Sequence, residues 1–301
     1  MLKHLLAPLD GSDLAEAALP VAADLASKTG ARLTLLHVLE QDAPGQVHGQ
    51  RHLTRPEEAQ AYLKGLADRL AATGIEADWH VHLEPTSQLA SSLKEHAEEL
   101  APDLLVMCAH GRARLRDWLS GNIAQQTLKQ GAIPILLLKP GPKGELIFPF
   151  HRILAPLDGQ PSHEQGLPLA AEMARLFEAE IQLIMVVPTL EVLPAETAAT
   201  GSLLPGATRA VLDLAEEQAQ EYLGRHLAAL KAKGLKASAS LGRGDPLSLI
   251  SRTAETAKAD LIVLASHGKI GSEAFWAGSL SARLVGRLNA SFLLVPISPG
   301  G

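Results

Sequence analysis

The segment ASHGKIGSEAFWAGS, Ala265 to Ser279, puts nine residues between Gly268 and the pair Gly278-Ser279, directly after the apolar run ADLIVL. Glycines let a backbone approach a ligand closely. The first amides of a helix offer donors and a partial positive charge to an anion, and a serine hydroxyl either caps that helix or adds a bond to an anion's oxygen. The chemistry open to such a turn is the cradling of phosphate. The same spacing recurs in CAHGRARLRDWLSGN, where nine residues separate Gly111 from Gly121 and Asn122 follows.

Two aspartates are the second element of this chemistry. Asp10 in LLAPLDGS and Asp158 in ILAPLDGQ each end an apolar run. A carboxylate there can accept bonds from a ribose hydroxyl or a base edge. The plainer reading stands beside it: Asp-Gly is turn chemistry, and an aspartate also caps a helix. His110 and His267 precede the two glycine turns and are conceivable general bases, but no nucleophile adjacent in sequence completes a constellation. By spacing alone the glycine turns equally fit an ordinary strand-to-helix connection.

Positioning these groups is the work of a repeated unit. The runs containing Asp10 and Asp158 correspond, ARLTLLHV at 31–38 matches AEIQLIMV at 179–186 at the same offset, and PDLLVMCAHG matches ADLIVLASHG. Copies this long predict two similar domains and not a solenoid, whose units are much shorter. The Pro- and Gly-rich stretch PGPKGELIFPF at 140–150 reads as a linker, which gives domains over 1–141 and 150–301.

Strand-length apolar runs alternate with stretches of helical period, the pattern of a parallel sheet with crossover helices. In the first copy the runs are 4–9, 32–39, 77–83, 103–109 and 133–138. Leu14, Ala18, Val21, Ala22 and Leu25 fall on one helical face that ends at Gly30, with Pro20 predicted to kink it. A second helix carries Leu63, Leu66 and Leu70 inward and stops at Gly74. SLSARLVGRL predicts a third, with Leu280, Leu284, Val285 and Leu288 at helical spacing after Ser279. Central runs such as DLLVM and DLIVL are apolar on both faces, so helices must cover both sides of the sheet. A doubly wound α/β fold follows, with ligands expected beyond the carboxyl ends of the strands.

Composition narrows the partners. The 301 residues are 47% hydrophobic, enough for a sizeable core. Lys and Arg number 27 against 33 Asp and Glu, a net charge of -6, so no basic field exists to hold nucleic acid or an anionic membrane. Aromatics at 3% argue against base-stacking platforms. The single Cys108 reads as a small buried core residue and, with an apolar start too short for a secretory signal, points to a cytoplasmic protein. Among twelve histidines, His80 with His82 and His48 with His52 lack a clear third ligand, and no metal is expected.

In their joint order, LAPLDGS, then AHG or SHG after the fourth strand, then Gly-Ser and FLLVP, the motifs resemble the universal stress protein family over nearly the whole chain, as a tandem pair. The resemblance implies two five-stranded parallel sheets of strand order 3-2-1-4-5, packed as a pseudo-dimer. It also implies ATP or a related adenine nucleotide as ligand, bound by a glycine, two residues, a glycine, nine residues, then glycine and a hydroxyl residue. In the second copy Ala265 stands at the first glycine, followed by Gly268, Gly278 and Ser279; Asp158, Val187 and His267 complete the implied set. In the first copy Cys108 and Asn122 depart from the pattern around Gly111 and Gly121, with Asp10 at strand one, so the second copy is the better nucleotide site.

Function is then expected to be nucleotide binding in a stress-response regulatory protein, with an unknown protein partner and a homodimer as further expectations. Catalysis beyond weak ATP hydrolysis is not expected, and no lysine-bearing phosphate loop is present. The competing reading is an interaction module of the same fold that binds no nucleotide. The connection 188–208 is expected to be a loop, since it is rich in proline and glycine.

Overall fold

The structure, a computed structural model, describes residues 2–40, 46–47, 50–51, 53–86, 92, 99–109, 133–141, 145–189, 205–266 and 279–297. They form two compact units. One is built mainly on Met1–Pro149 with Asn289–Ser298, the other mainly on Phe150–Ala265 with Ala277–Leu288.

The first unit opens with strand β1 (His4–Pro8), buried except at its last residue. Ser12 caps the short helix α1 (Asp13–Glu16), its hydroxyl oxygen accepting from the Ala15 amide at 3.2 Å. Helix α2 (Leu19–Thr29) then buries Val21, Ala22 and Leu25 and ends at Gly30, whose φ of 68° fits the left-handed helix stop. The expected kink at Pro20 is not formed. The chain breaks into two helices instead, and Pro20 sits in the first turn of α2, where its missing amide costs no hydrogen bond.

Strand β2 (Arg32–Glu40) follows, and the long connection after it holds a small antiparallel hairpin of β3 (Gln46–Val47) and β4 (Gln50–Arg51). Helix α3 (Pro56–Ala71) buries Ala59, Leu63, Leu66 and Ala67. Gly74, at φ 84°, turns the chain into β5 (Ala77–Thr86). Strands β6 (Leu104–Cys108) and β7 (Ile135–Leu138) are buried along their whole lengths, as residues apolar on both faces require.

In space the order is β5, β2, β1, β6, β7, every pairing parallel. Beyond β7 lies a strand from the chain end, β12 (Ser291–Pro296), which runs antiparallel with Leu293 opposite Leu136. The edge that β7 would present is thereby covered, and β12 is itself fully buried.

The second unit repeats the plan. Phe150 is fully buried and packs edge-on against Phe177, with ring centroids 5.5 Å apart, so the end of the predicted linker is anchored in the core. Strand β8 (Arg152–Leu157), a 3-10 turn (Pro161–Gly166), helix α4 (Leu167–Phe177) and β9 (Glu180–Val187) follow in chain order. Helix α5 (Pro205–Ala232) shortens the predicted loop 188–208, since the chain is helical from residue 205 onward; residues 190–204 lie outside the described set.

After β10 (Ala237–Arg243), Asp245 caps α6 (Pro246–Ala257) by accepting from the Ser248 amide at 2.8 Å. Strand β11 (Leu261–Ser266) and helix α7 (Leu280–Arg287) complete the unit, α7 burying Ala282, Leu284 and Val285. The spatial order is β10, β9, β8, β11.

Candidate functional site

In each unit the first strand and the strand that precedes the His-Gly motif in sequence are parallel neighbours. Leu5 and Leu6 face Leu104 and Leu105, while Ile153 and Leu154 face Leu261 and Ile262. A carboxylate clamp ties the amino ends of each pair. Asp103 accepts from the amides of Lys3 at 2.6 Å and His4 at 2.9 Å, and Asp260 accepts from those of His151 at 2.8 Å and Arg152 at 3.0 Å. These amides lie at the starts of β1 and β8, and the two carboxylates supply their acceptors. Sequence reasoning missed both residues, although they stand at matching places in PDLLV and ADLIV.

At the opposite, carboxyl ends the second unit gathers Asp158, Val187 and Ala265. Asp158 leaves β8 into a turn made possible by Gly159 at φ 84°. Its Oδ1 accepts from the Gln160 amide at 3.0 Å, the local bond of an Asp-Gly turn, and its Oδ2 lies 2.5 Å from His163 Nδ1. The following 3-10 turn leans over β11. A Cβ on Gly166 would stand 3.2 Å from Val263 Cγ1 and 3.8 Å from the Ala265 nitrogen, so the end of the 3-10 turn that follows Asp158 lies close to the neighbouring strand.

Val187 is buried at the end of β9, its carbonyl accepting from the Gly244 amide at 3.0 Å. Ala265 is half-buried on β11. Ser279 caps α7 by accepting from the Ala282 amide at 3.2 Å, the cap that the sequence had left as one of two roles. His267, Gly268 and Gly278 lie outside the described residues.

Behind Asp158 the structure assembles groups that nothing in the sequence pattern announced. Helix α5 carries Tyr222, Arg225 and His226 toward the 3-10 turn, and His226 Nε2 lies 3.3 Å from Glu164 Oε1. Tyr222 packs edge-on against the His226 ring, centroids 4.5 Å apart, with the Arg225 guanidinium 5.8 Å from its own ring centre. Burial, reinforced by Glu164 and then Asp158, holds the Tyr222 hydroxyl above the ordinary phenol range.

The first unit arranges its counterparts differently. Asp10 also enters a glycine turn, Gly11 at φ 88°, but its Oδ1 accepts from both the Ser12 amide at 2.9 Å and the Ser12 hydroxyl at 2.6 Å. Leu53 lies across this turn so closely that a Cβ on Gly11 would meet its side chain at 2.8 Å. His37, fully buried on β2, spans the same region, Nδ1 2.7 Å from the Leu9 carbonyl and Nε2 3.2 Å from that of Leu53. Cys108 ends β6 within reach of Asp10's field: burial, then that carboxylate, pushes its thiol up to about 12. His110, Gly111, Gly121 and Asn122 lie outside the described residues. Among the described residues no group of three His, Cys, Asp or Glu is placed to hold a metal ion, and no helix is long and apolar enough to cross a membrane.

Two α/β units, each with an aspartate at the carboxyl end of its first strand and a His-Gly motif in the sequence after the neighbouring one, define a class. The model of the universal stress protein family matches residues 1–139 and again 149–296, and the chain belongs to that family as a tandem protein. A universal stress protein of Methanocaldococcus jannaschii is 30% identical over 148 residues, which is 48% of this chain and 82% of that one. One from Thermus aquaticus is 28% identical over 141 residues, 46% of this chain and all of its own. Among solved structures, a universal stress protein from Archaeoglobus fulgidus superposes with a TM-score of 0.71 at 18% identity, covering 99% of this chain and 97% of that one. At this identity the likeness concerns the fold.

Proposed function

We propose that this protein binds ATP or a related adenine nucleotide, chiefly in its second unit, and acts as a nucleotide-dependent binding or regulatory protein of the stress response. The observation that carries the reading is the parallel pairing of β8 with β11. With the two strands parallel, Asp158 follows β8 at the same end of the sheet as Ser266, the last residue of β11, after which Gly268 comes in sequence. Ligands of open α/β sheets occupy such an end.

In this reading Asp158 accepts from the ribose or base, Val187 and Ala265 form the apolar floor, and His267 stands beside the pocket. The amides around Gly268, Gly278 and Ser279 receive the phosphates at the start of α7. In the first unit Asp10, Gly111, Gly121 and Asn122 hold corresponding places. There the Leu53 side chain lies on Gly11, which favours the second reading for that half, an interaction module without nucleotide.

One assay tests both. Calorimetric titration of the purified protein with ATP is expected to give one nucleotide per chain, and Asp158→Ala is expected to weaken it by about tenfold or more, the worth of a bond to a charged acceptor. A protein that releases no nucleotide on denaturation and neither binds added ATP nor gains thermal stability from it overturns the proposal. Two equivalent sites would remove the distinction between the units.

A further inference from the structure

The two repeats run in step through their first turns, LDGSDLAEAALP against LDGQPSHEQGLP, and keep the aspartate, the glycine, the glutamate and the proline. One difference falls on the carboxylate itself. Where the second repeat has His163 the first has Ala15, and His163 Nδ1 sits 2.5 Å from Asp158 Oδ2. In the first repeat Asp10 Oδ1 accepts from the Ser12 amide and hydroxyl.

We infer that His163 is a positioning residue that sets the acceptor strength of Asp158 and makes nucleotide binding by the second unit proton-linked, an inference that rests on the reading of that unit as the nucleotide site. A carboxylate only accepts, so Nδ1 is the donor in this pair. With Oδ1 engaged by the Gln160 amide, Oδ2 is the oxygen whose orientation the imidazole governs. A neutral imidazole orients Oδ2 and leaves the carboxylate its charge, so a ribose hydroxyl or base N–H still meets a full anion. An imidazolium pairs with that charge, and a third donor then gains less.

Other ionisable groups crowd the pair, and they do not cancel the effect. Glu164, next along the same turn, is taken up by His226 of α5, while Tyr222 is held in its neutral form and Arg225 lies over the Tyr222 ring. In this reading the phosphates are received at the start of α7 while Asp158 meets the ribose or base, so the charge gained by His163 acts on Asp158 first. Affinity therefore falls as His163 takes up its proton.

The test is calorimetry with ATP at pH about 8 and about 5.5 for the full chain and for His163→Ala and His163→Asn. The Asn side chain keeps an N–H donor near the Nδ1 position and does not titrate. Because the phosphates of ATP titrate alike in all three proteins, only differences between their pH profiles count. The unaltered protein is expected to lose about tenfold more affinity on acidification than either variant. At the higher pH His163→Ala is expected to bind several-fold more weakly, with His163→Asn recovering most of that loss.

Equal pH profiles in the unaltered protein and His163→Asn overturn the inference and leave the nucleotide site standing. A variant that binds more tightly at low pH by the same factor as at high pH also overturns it. Absence of ATP binding by the unaltered protein at both pH values overturns the nucleotide reading itself. Thermal melts of the three proteins at both pH values identify a variant that fails to fold, and His163→Asn, which preserves the donor, then decides the question.

Discussion

Cys108 and His4 show how neighbours set the chemistry of single side chains in the first unit. Cys108 is 8% exposed, and burial together with Asp10 raises its thiol to about 12, so almost none is thiolate at neutral pH. Iodoacetamide at pH about 7.5 is therefore expected to leave the native protein unlabelled and to add one label once it is unfolded. Rapid labelling of native protein, followed by mass spectrometry, would reject the buried thiol. His4 is 5% exposed, with Nε2 2.8 Å from Thr34 Oγ1, and burial holds its imidazole below the ordinary value. A lowered histidine takes up its proton more readily when unfolded, so its contribution to stability is present above the unfolded value of about 6.5 and is lost as pH falls below it. Urea midpoints measured from pH about 7 to about 5 are expected to fall less steeply in His4→Gln than in the unaltered protein.

Strands and turns are held by groups at their ends. Asp260 is 6% exposed and accepts from the amides of His151 and Arg152, fixing the start of β8 against β11. Removing the carboxylate leaves those amides without their acceptor, so Asp260→Ala is expected to cost about 1–3 kcal/mol in urea unfolding. A change within experimental error would show that the clamp does not secure the strand pair on which the site depends. A second device recurs across helices. In the first unit Arg69 of α3 reaches Glu16 at 2.7 Å, and in the second His226 of α5 approaches Glu164. Both tie the segment after the aspartate to the helix that precedes the outermost strand of its sheet.

Across the whole molecule, the first unit is finished by residues from the far end of the chain. Strand β12 lies antiparallel against β7, pairing Phe292 with Leu137, Leu293 with Leu136 and Leu294 with Ile135. Residues 1–149 expressed alone would expose β7, four apolar residues long, as an open edge, the kind of strand that recruits another chain. Light scattering is expected to find that fragment self-associated, where a stable monomer would show that β12 is dispensable to the unit. The net charge of -6 is shared by both repeats.

Composition, period and repetition were enough to establish two α/β units, because apolar runs must pair into a buried sheet and amphipathic helices must cover it. They also located Asp10, Asp158 and Ser279 at the ends of elements, since turns and caps draw on local residue chemistry, while Val187 and Ala265 came from the family resemblance. What they could not determine is which distant groups share a surface. His163 on Asp158, Tyr222 and His226 behind it, Leu53 across Gly11 and β12 beside β7 are encounters between segments far apart in the chain or with no periodic signal. Only packing in three dimensions decides those, because the energy of each contact depends on what the rest of the fold brings within a few ångströms.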